Sequence, residues 1–113
     1  MNASYVRISL AGNCYCSATV YVRGSSNSMI GGSCYNAVVE GGMFANCQVT
    51  QGSSTAVSVQ GSNAVINSIL IPTSGGGLTL TAASSYNLVH GVYSRSAVSD
   101  SGSNNTKTDN YTF

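Results

Sequence analysis

The sequence predicts an all-β chain wound as a parallel β-helix, and three observations carry that prediction. First, four stretches overlay at a spacing near twenty residues: Ala18-Thr-Val-Tyr-Val-Arg-Gly24, Ala37-Val-Val-Glu-Gly-Gly-Met43, Ala56-Val-Ser-Val-Gln-Gly-Ser62 and Gly77-Leu-Thr-Leu-Thr-Ala-Ala83. Their starts lie 19, 19 and 21 residues apart (18 to 37, 37 to 56, 56 to 77). Second, each is followed by a polar stretch and then a second apolar run opening on asparagine, at Asn27-Ser-Met-Ile30, Asn46-Cys-Gln-Val49, Asn63-Ala-Val-Ile66 and Asn87-Leu-Val-His90. Third, valine is abundant, strong helix formers are scarce and Pro72 is the only proline. A short repeat of this kind cannot bury its own apolar face, so coils must stack to build a core. A right hand follows from the usual sense of parallel β connections. The alternative is an antiparallel β-sandwich, which needs turn signals every 8–12 residues, and the chain also roughly meets that condition.

Taken in order, residues 5–16 read as one or two strands with Ile8 and Leu10 on one face and a turn at Gly12-Asn13. In the repeats, alternation places Val20, Val22, Val39, Val57, Val59, Leu78 and Leu80 inward, and Thr19, Tyr21, Arg23, Glu40, Ser58 and Thr79 outward. Gly41-Gly42 marks a bulge that leaves the second repeat's register open by one residue. The apolar run Ile66-Asn-Ser-Ile-Leu-Ile-Pro72 ends in the glycine-rich loop before Leu78. Residues 1–98 are therefore assigned to coils and 99–113 to a polar tail closing on Tyr111 and Phe113. That tail reads either as a frayed end or as a segment that docks on a neighbouring subunit. No cap precedes the first strand, so the chain is expected to be the C-terminal piece of a longer solenoid.

Charge narrows the functional classes. Seven residues are formally charged, and between Gly24 and Ser94 only Glu40 is. A net charge of +1 gives no electrostatic footprint for nucleic acid. No apolar run is long enough for a membrane-spanning helix, and the start lacks the pattern of a secretory signal. A surface this poor in charge points to an oligomer, in which part of it is covered.

Cys14, Cys16, Cys34 and Cys47 all fall in the first half. Cys14 and Cys16 share a strand face, which suits a mutual disulfide poorly, and the set lacks the paired spacings of a zinc site. The four are read as small core residues filling rungs, with a Cys34–Cys47 disulfide as the alternative.

The Gly/Asn/Ser/Val-rich coils, with the closing Ser101-Gly-Ser-Asn-Asn-Thr-Lys-Thr-Asp-Asn-Tyr-Thr-Phe113, resemble the C-terminal region of bacteriophage tailspike or tail-fibre proteins. The resemblance implies a homotrimer of right-handed parallel β-helices that binds, and often degrades, bacterial surface polysaccharide. It implies a place in the virion, on the phage tail, after synthesis in the host cytoplasm. The chain is shorter than the catalytic body of such spikes. Bacterial adhesins and pectate-lyase-like enzymes share this style of coil.

For chemistry, polysaccharide hydrolysis wants two facing carboxyl groups, and the repeats supply only Glu40, with Asp100 and Asp109 beyond them. His90, Tyr93 and Arg95 alternate along one strand face and form the best local cluster for a lyase. No Ser stands in a nucleophile-elbow motif, and Gly75-Gly-Gly77 has neither the Lys nor the helix start of a phosphate loop. No catalytic residue, metal ligand or cofactor is assigned. Binding is easier to support: Tyr21, Arg23 and Glu40 on one outward face, and His90, Tyr93 and Arg95 on another, offer aromatic rings and planar polar groups suited to a glycan. A subunit interface would use the same side chains.

Overall fold

The computed structural model describes residues 7–9, 15–24, 27–50, 55–73 and 76–113. Among these, every regular element is a strand and every pairing between strands is parallel. The all-parallel ladder excludes the β-sandwich, and the chain is a β-solenoid of about four turns.

Each turn crosses three sheets. The first holds β1 (Arg7–Ser9), β3 (Ser28–Ile30), β5 (Met43–Ala45), the front half of β8 (Val65–Ile71), the front half of β10 (Leu88–Ser94) and β12 (Thr106–Thr108). The second stacks the start of β2 (Tyr15–Val22), the start of β4 (Ser33–Val39), β6 (Gln48–Val49), the back halves of β8 and β10, and β13 (Tyr111–Thr112). The third takes the ends of β2 and β4, then β7 (Thr55–Val59), β9 (Gly77–Leu80) and β11 (Ser99–Asp100).

Stacking in register turns the alternation of each strand into columns of like residues. Met29, Phe44, Ile66 and Val89 line up inside the first sheet, and Val22, Val39, Val59 and Leu80 inside the third. All eight are buried. Burying one such side chain is worth about 1.5–3 kcal/mol, and here each also packs on the equivalent residue of the next coil. The inward expectation holds for Val22, Val39, Val57, Val59, Leu78 and Leu80, while Val20 is partly covered against the core.

The register itself differs from the overlay read in the sequence. Val20 pairs with Ala37, Ala37 with Val57 and Val57 with Leu78, so the true separations are 17, 20 and 21 residues (20 to 37, 37 to 57, 57 to 78). Likewise Asn46-Cys-Gln-Val49 does not stack on Asn27-Ser-Met-Ile30; Gly42 to Ala45 does, and the asparagine run lies on the second sheet. The cause is that the connections into and out of the third sheet vary: Cys34 to Ala37 is shorter than Val49 to Val57, and Val39 to Phe44 is shorter than Val22 to Met29.

The corner between the first and second sheets is a ladder of left-handed residues. Gly31, Asn46, Ser68, Gly91 and Asp109 occupy equivalent places, with φ of 86, 54, 56, 69 and 53°. Glycine adopts this conformation freely, and Asn and Asp tolerate it better than other side chains. Ser68 and Gly91 thus bend β8 and β10 without breaking their pairing.

Residues 99–113, expected to leave the coils as a polar tail, instead carry β11, β12 and β13 in register beneath β9 and β10. Their polarity has a structural use. Under the apolar columns stand Asp100 below Leu80, Lys107 below Val89 and Asn110 below Val92. Asn110 accepts from Val92 N (2.9 Å) and donates to Val89 O (3.2 Å). Asn87 donates to Asn105 Oδ1 (3.0 Å), and Asn105 in turn donates to Asp100 Oδ1 (3.0 Å). These inward polar groups satisfy one another where the coils above are apolar.

Cys34 and Cys47 are buried free thiols, so the alternative disulfide between them is not formed. Cys47 Sγ lies 3.1 Å from Ala45 O, and burial pushes its pKa up to about 11. The side chains of Ile8 and Cys16, together with Leu10, Cys14 and the Gly12-Asn13 turn, lie outside the described residues.

Candidate functional site

The outward columns divide the expected site residues between two places. On the third sheet, Arg23 follows β2 and Glu40 follows β4, one directly over the other because Glu40 N bonds Val22 O (2.8 Å). Arg23 Nε donates to Glu40 Oε1 at 3.3 Å, and the guanidinium lies 4.6 Å from the Tyr21 ring centroid. Tyr21, Arg23 and Glu40 therefore form one contact group. Both charged side chains are more than a third exposed, so their pairing contributes at most about 1 kcal/mol.

His90, Tyr93 and Arg95 do not lie on one strand face as the sequence suggested, because a corner falls between His90 and Tyr93. Gly91, with its positive φ, takes up one residue at the corner, so the outward series runs Leu88, His90, then Tyr93 and Arg95. His90 thus belongs to the first sheet, and Tyr93 to the second. Below them the last coil adds partners that the sequence reading left out of the site. Tyr93 stands over Tyr111 with ring centroids 5.9 Å apart, and the Arg95 guanidinium lies 5.0 Å from the Phe113 ring centroid. Arg95 Nε donates to Pro72 O at 3.3 Å. With Leu70 above Tyr93, the second sheet presents an outward column Leu70, Tyr93, Tyr111 flanked by Arg95 and Phe113. The signal for it was the 18-residue step that carries both Tyr93 to Tyr111 and Arg95 to Phe113.

At the corner, His90 Nδ1 lies 2.8 Å from Thr108 Oγ1 and 3.5 Å from Asp109 Oδ2. Ser68, Ile69, Leu70, Gly91 and Tyr93 complete a groove of about 420 Å³ with His90 and Asp109, within the range of small-molecule sites.

The chain's three carboxylates each have their own partner: Glu40 has Arg23, Asp100 has Lys107 and Asp109 has His90. The lysine holds the Asp100 carboxyl below its ordinary pKa, helped by hydrogen bonds from Asn105 and Gly102. Glu40 follows the third sheet, Asp100 points into the foot of the core and Asp109 sits at the first corner. The pair of facing carboxyls that glycoside hydrolysis uses is not what this fold assembles from one chain. What it assembles is an aromatic face beside a groove with both apolar and polar lining.

No protein-family profile matches the chain, and no curated protein or solved structure gives a match to it.

Proposed function

We propose that this chain is the trimerising β-helix part of a bacteriophage tailspike, and that it recognises bacterial surface polysaccharide. The observation that carries the reading is the exposed column Leu70, Tyr93 and Tyr111, with Phe113 beside it, on a parallel solenoid that has almost no surface charge. Rings held rigidly along a flat sheet suit the C–H faces of successive sugar units, and the sheet spaces them at the fixed rise of the coils. Leu88 and Met43 are exposed on the first sheet, in line with partly covered Val65. This apolar stripe supports packing against two further copies, while the corner keeps the aromatic face turned elsewhere. A virion location follows from the same reading.

The test is binding to an array of purified bacterial capsular and lipopolysaccharide glycans. The reading expects saturable binding to a subset, lost on Tyr111→Ala together with Tyr93→Ala. Absence of binding across the array, or binding unchanged by the double substitution, would overturn it.

A further inference from the structure

We infer that the corner groove is a binding subsite for a single neutral pyranose, which stacks on Tyr93 and is held by His90 and Asp109. This deepens the polysaccharide-recognition reading and rests on it.

The groove has a floor, a wall and an edge of polar groups. The floor is Gly91, whose missing Cβ leaves room; a Cβ there would sit 3.5 Å from Ser68 N and 3.7 Å from Asn67 Oδ1. The wall is the Tyr93 ring, half exposed, which the last coil steadies from below through Tyr111. A pyranose laid on that ring would present its equatorial hydroxyls to the polar edge. There His90 uses Nδ1 toward Thr108 and Asp109, so its Nε2 remains without a partner among the described residues. In the tautomer whose Nδ1 proton goes to Thr108 Oγ1, Nε2 is an acceptor for a sugar hydroxyl, and Asp109 Oδ1 is a second one.

Charge selects among sugars. Asp109 is the one carboxylate lining the groove, and its side chain is largely exposed there. The nearest arginine on this face, Arg95, is committed to Phe113 and Pro72 O and does not line the groove. A uronate or sialate carboxylate would face Asp109 with no arginine or lysine lining the groove, whereas a neutral hexose meets the Tyr93 ring and hydrogen-bonding groups without that repulsion.

The experiment is a heteronuclear NMR titration of the whole chain with methyl glycosides of glucose, galactose, mannose and N-acetylglucosamine, and with methyl glucuronoside. At least one neutral glycoside should shift Gly91, His90 and Tyr93 saturably, with the glucuronoside at least tenfold weaker. Tyr93→Ala should weaken the neutral sugar at least tenfold. So should Gly91→Asn, which keeps a residue suited to positive φ but fills the floor. Asp109→Asn should narrow the gap between neutral and acidic sugars. The subsite is overturned if no neutral glycoside shifts these residues, or if the glucuronoside binds equally. Shifts confined to Tyr21, Arg23 and Glu40 would overturn the groove yet leave polysaccharide recognition standing. Failure on the glycan array would remove that recognition itself.

Discussion

Lys107 forms an ion pair with Asp100 at the foot of the core, each standing in a column that is apolar one coil higher, under Val89 and Leu80 respectively. Inward-pointing charges at an open sheet edge deter another edge from pairing there. The double variant Asp100→Leu with Lys107→Leu is expected to associate end to end, giving species heavier than the parent that grow with concentration in light scattering. A particle mass identical to the parent's at all concentrations would contradict this role.

The same pair sets an acid limit. The Asp100 carboxyl has a pKa held below its ordinary value of 3.8 in the folded chain. Its contribution to stability is therefore complete above that ordinary value and is lost as pH falls through the lower folded one. Thermal unfolding followed by circular dichroism should show the parent losing stability as pH drops below about 4, and Asp100→Asn losing less over the same interval. Parallel pH curves for the two proteins would remove Asp100 from the account.

Cys47 should be inert while the fold persists. With a thiol pKa of about 11, hardly any thiolate exists at neutral pH. The folded-state value lies above the ordinary thiol value of 9.0, so this group favours folding below pH 9 and ceases to as pH rises through 11. Thiol titration with a disulfide reagent should find Cys47 unreactive in buffer at pH 7.5 and reactive in denaturant. Rapid native-state labelling at this residue would contradict its burial.

Ile66 stands in mid-column between Phe44 and Val89. Ile66→Ala is expected to cost about 2–5 kcal/mol in denaturant unfolding, more than the loss from Val65→Ala on the outward side of the same strand. Equal costs at the two positions would contradict the register.

Much of this fold was legible because stacking repeats the same demand in each coil. Val22, Val39, Val59 and Leu80 show it: one column of four branched apolar residues, whose outward neighbours are polar except for Val38. The register was harder, because the links into and out of the third sheet change length, and Asn46 imitates the asparagine that opens other strands while serving the left-handed corner. Polarity misled at 99–113. Asp100, Asn105 and Lys107 look like solvent-seeking residues in sequence, yet they satisfy one another beneath the core. Alternation alone put Tyr21, Arg23 and Glu40 on one outward face; that Arg23 rather than Tyr21 stands over Glu40 depends on the register. The meeting of His90 with Asp109 was not, since it depends on the positive φ of Gly91 and on a last coil whose position only the ladder reveals.

The exposed Leu88 and Met43 on the first sheet assign that face to neighbouring copies under the proposed trimer. Leu88→Lys is expected to yield single chains in size-exclusion chromatography while leaving the circular dichroism spectrum unchanged. Retention of the parent's elution volume would move the interface elsewhere.

The most direct measurement is the mass of the parent chain in solution by sedimentation equilibrium at micromolar concentration. The account expects a particle of three copies of the 11.5 kDa chain. A particle of one copy, stable across the concentration range, would contradict it.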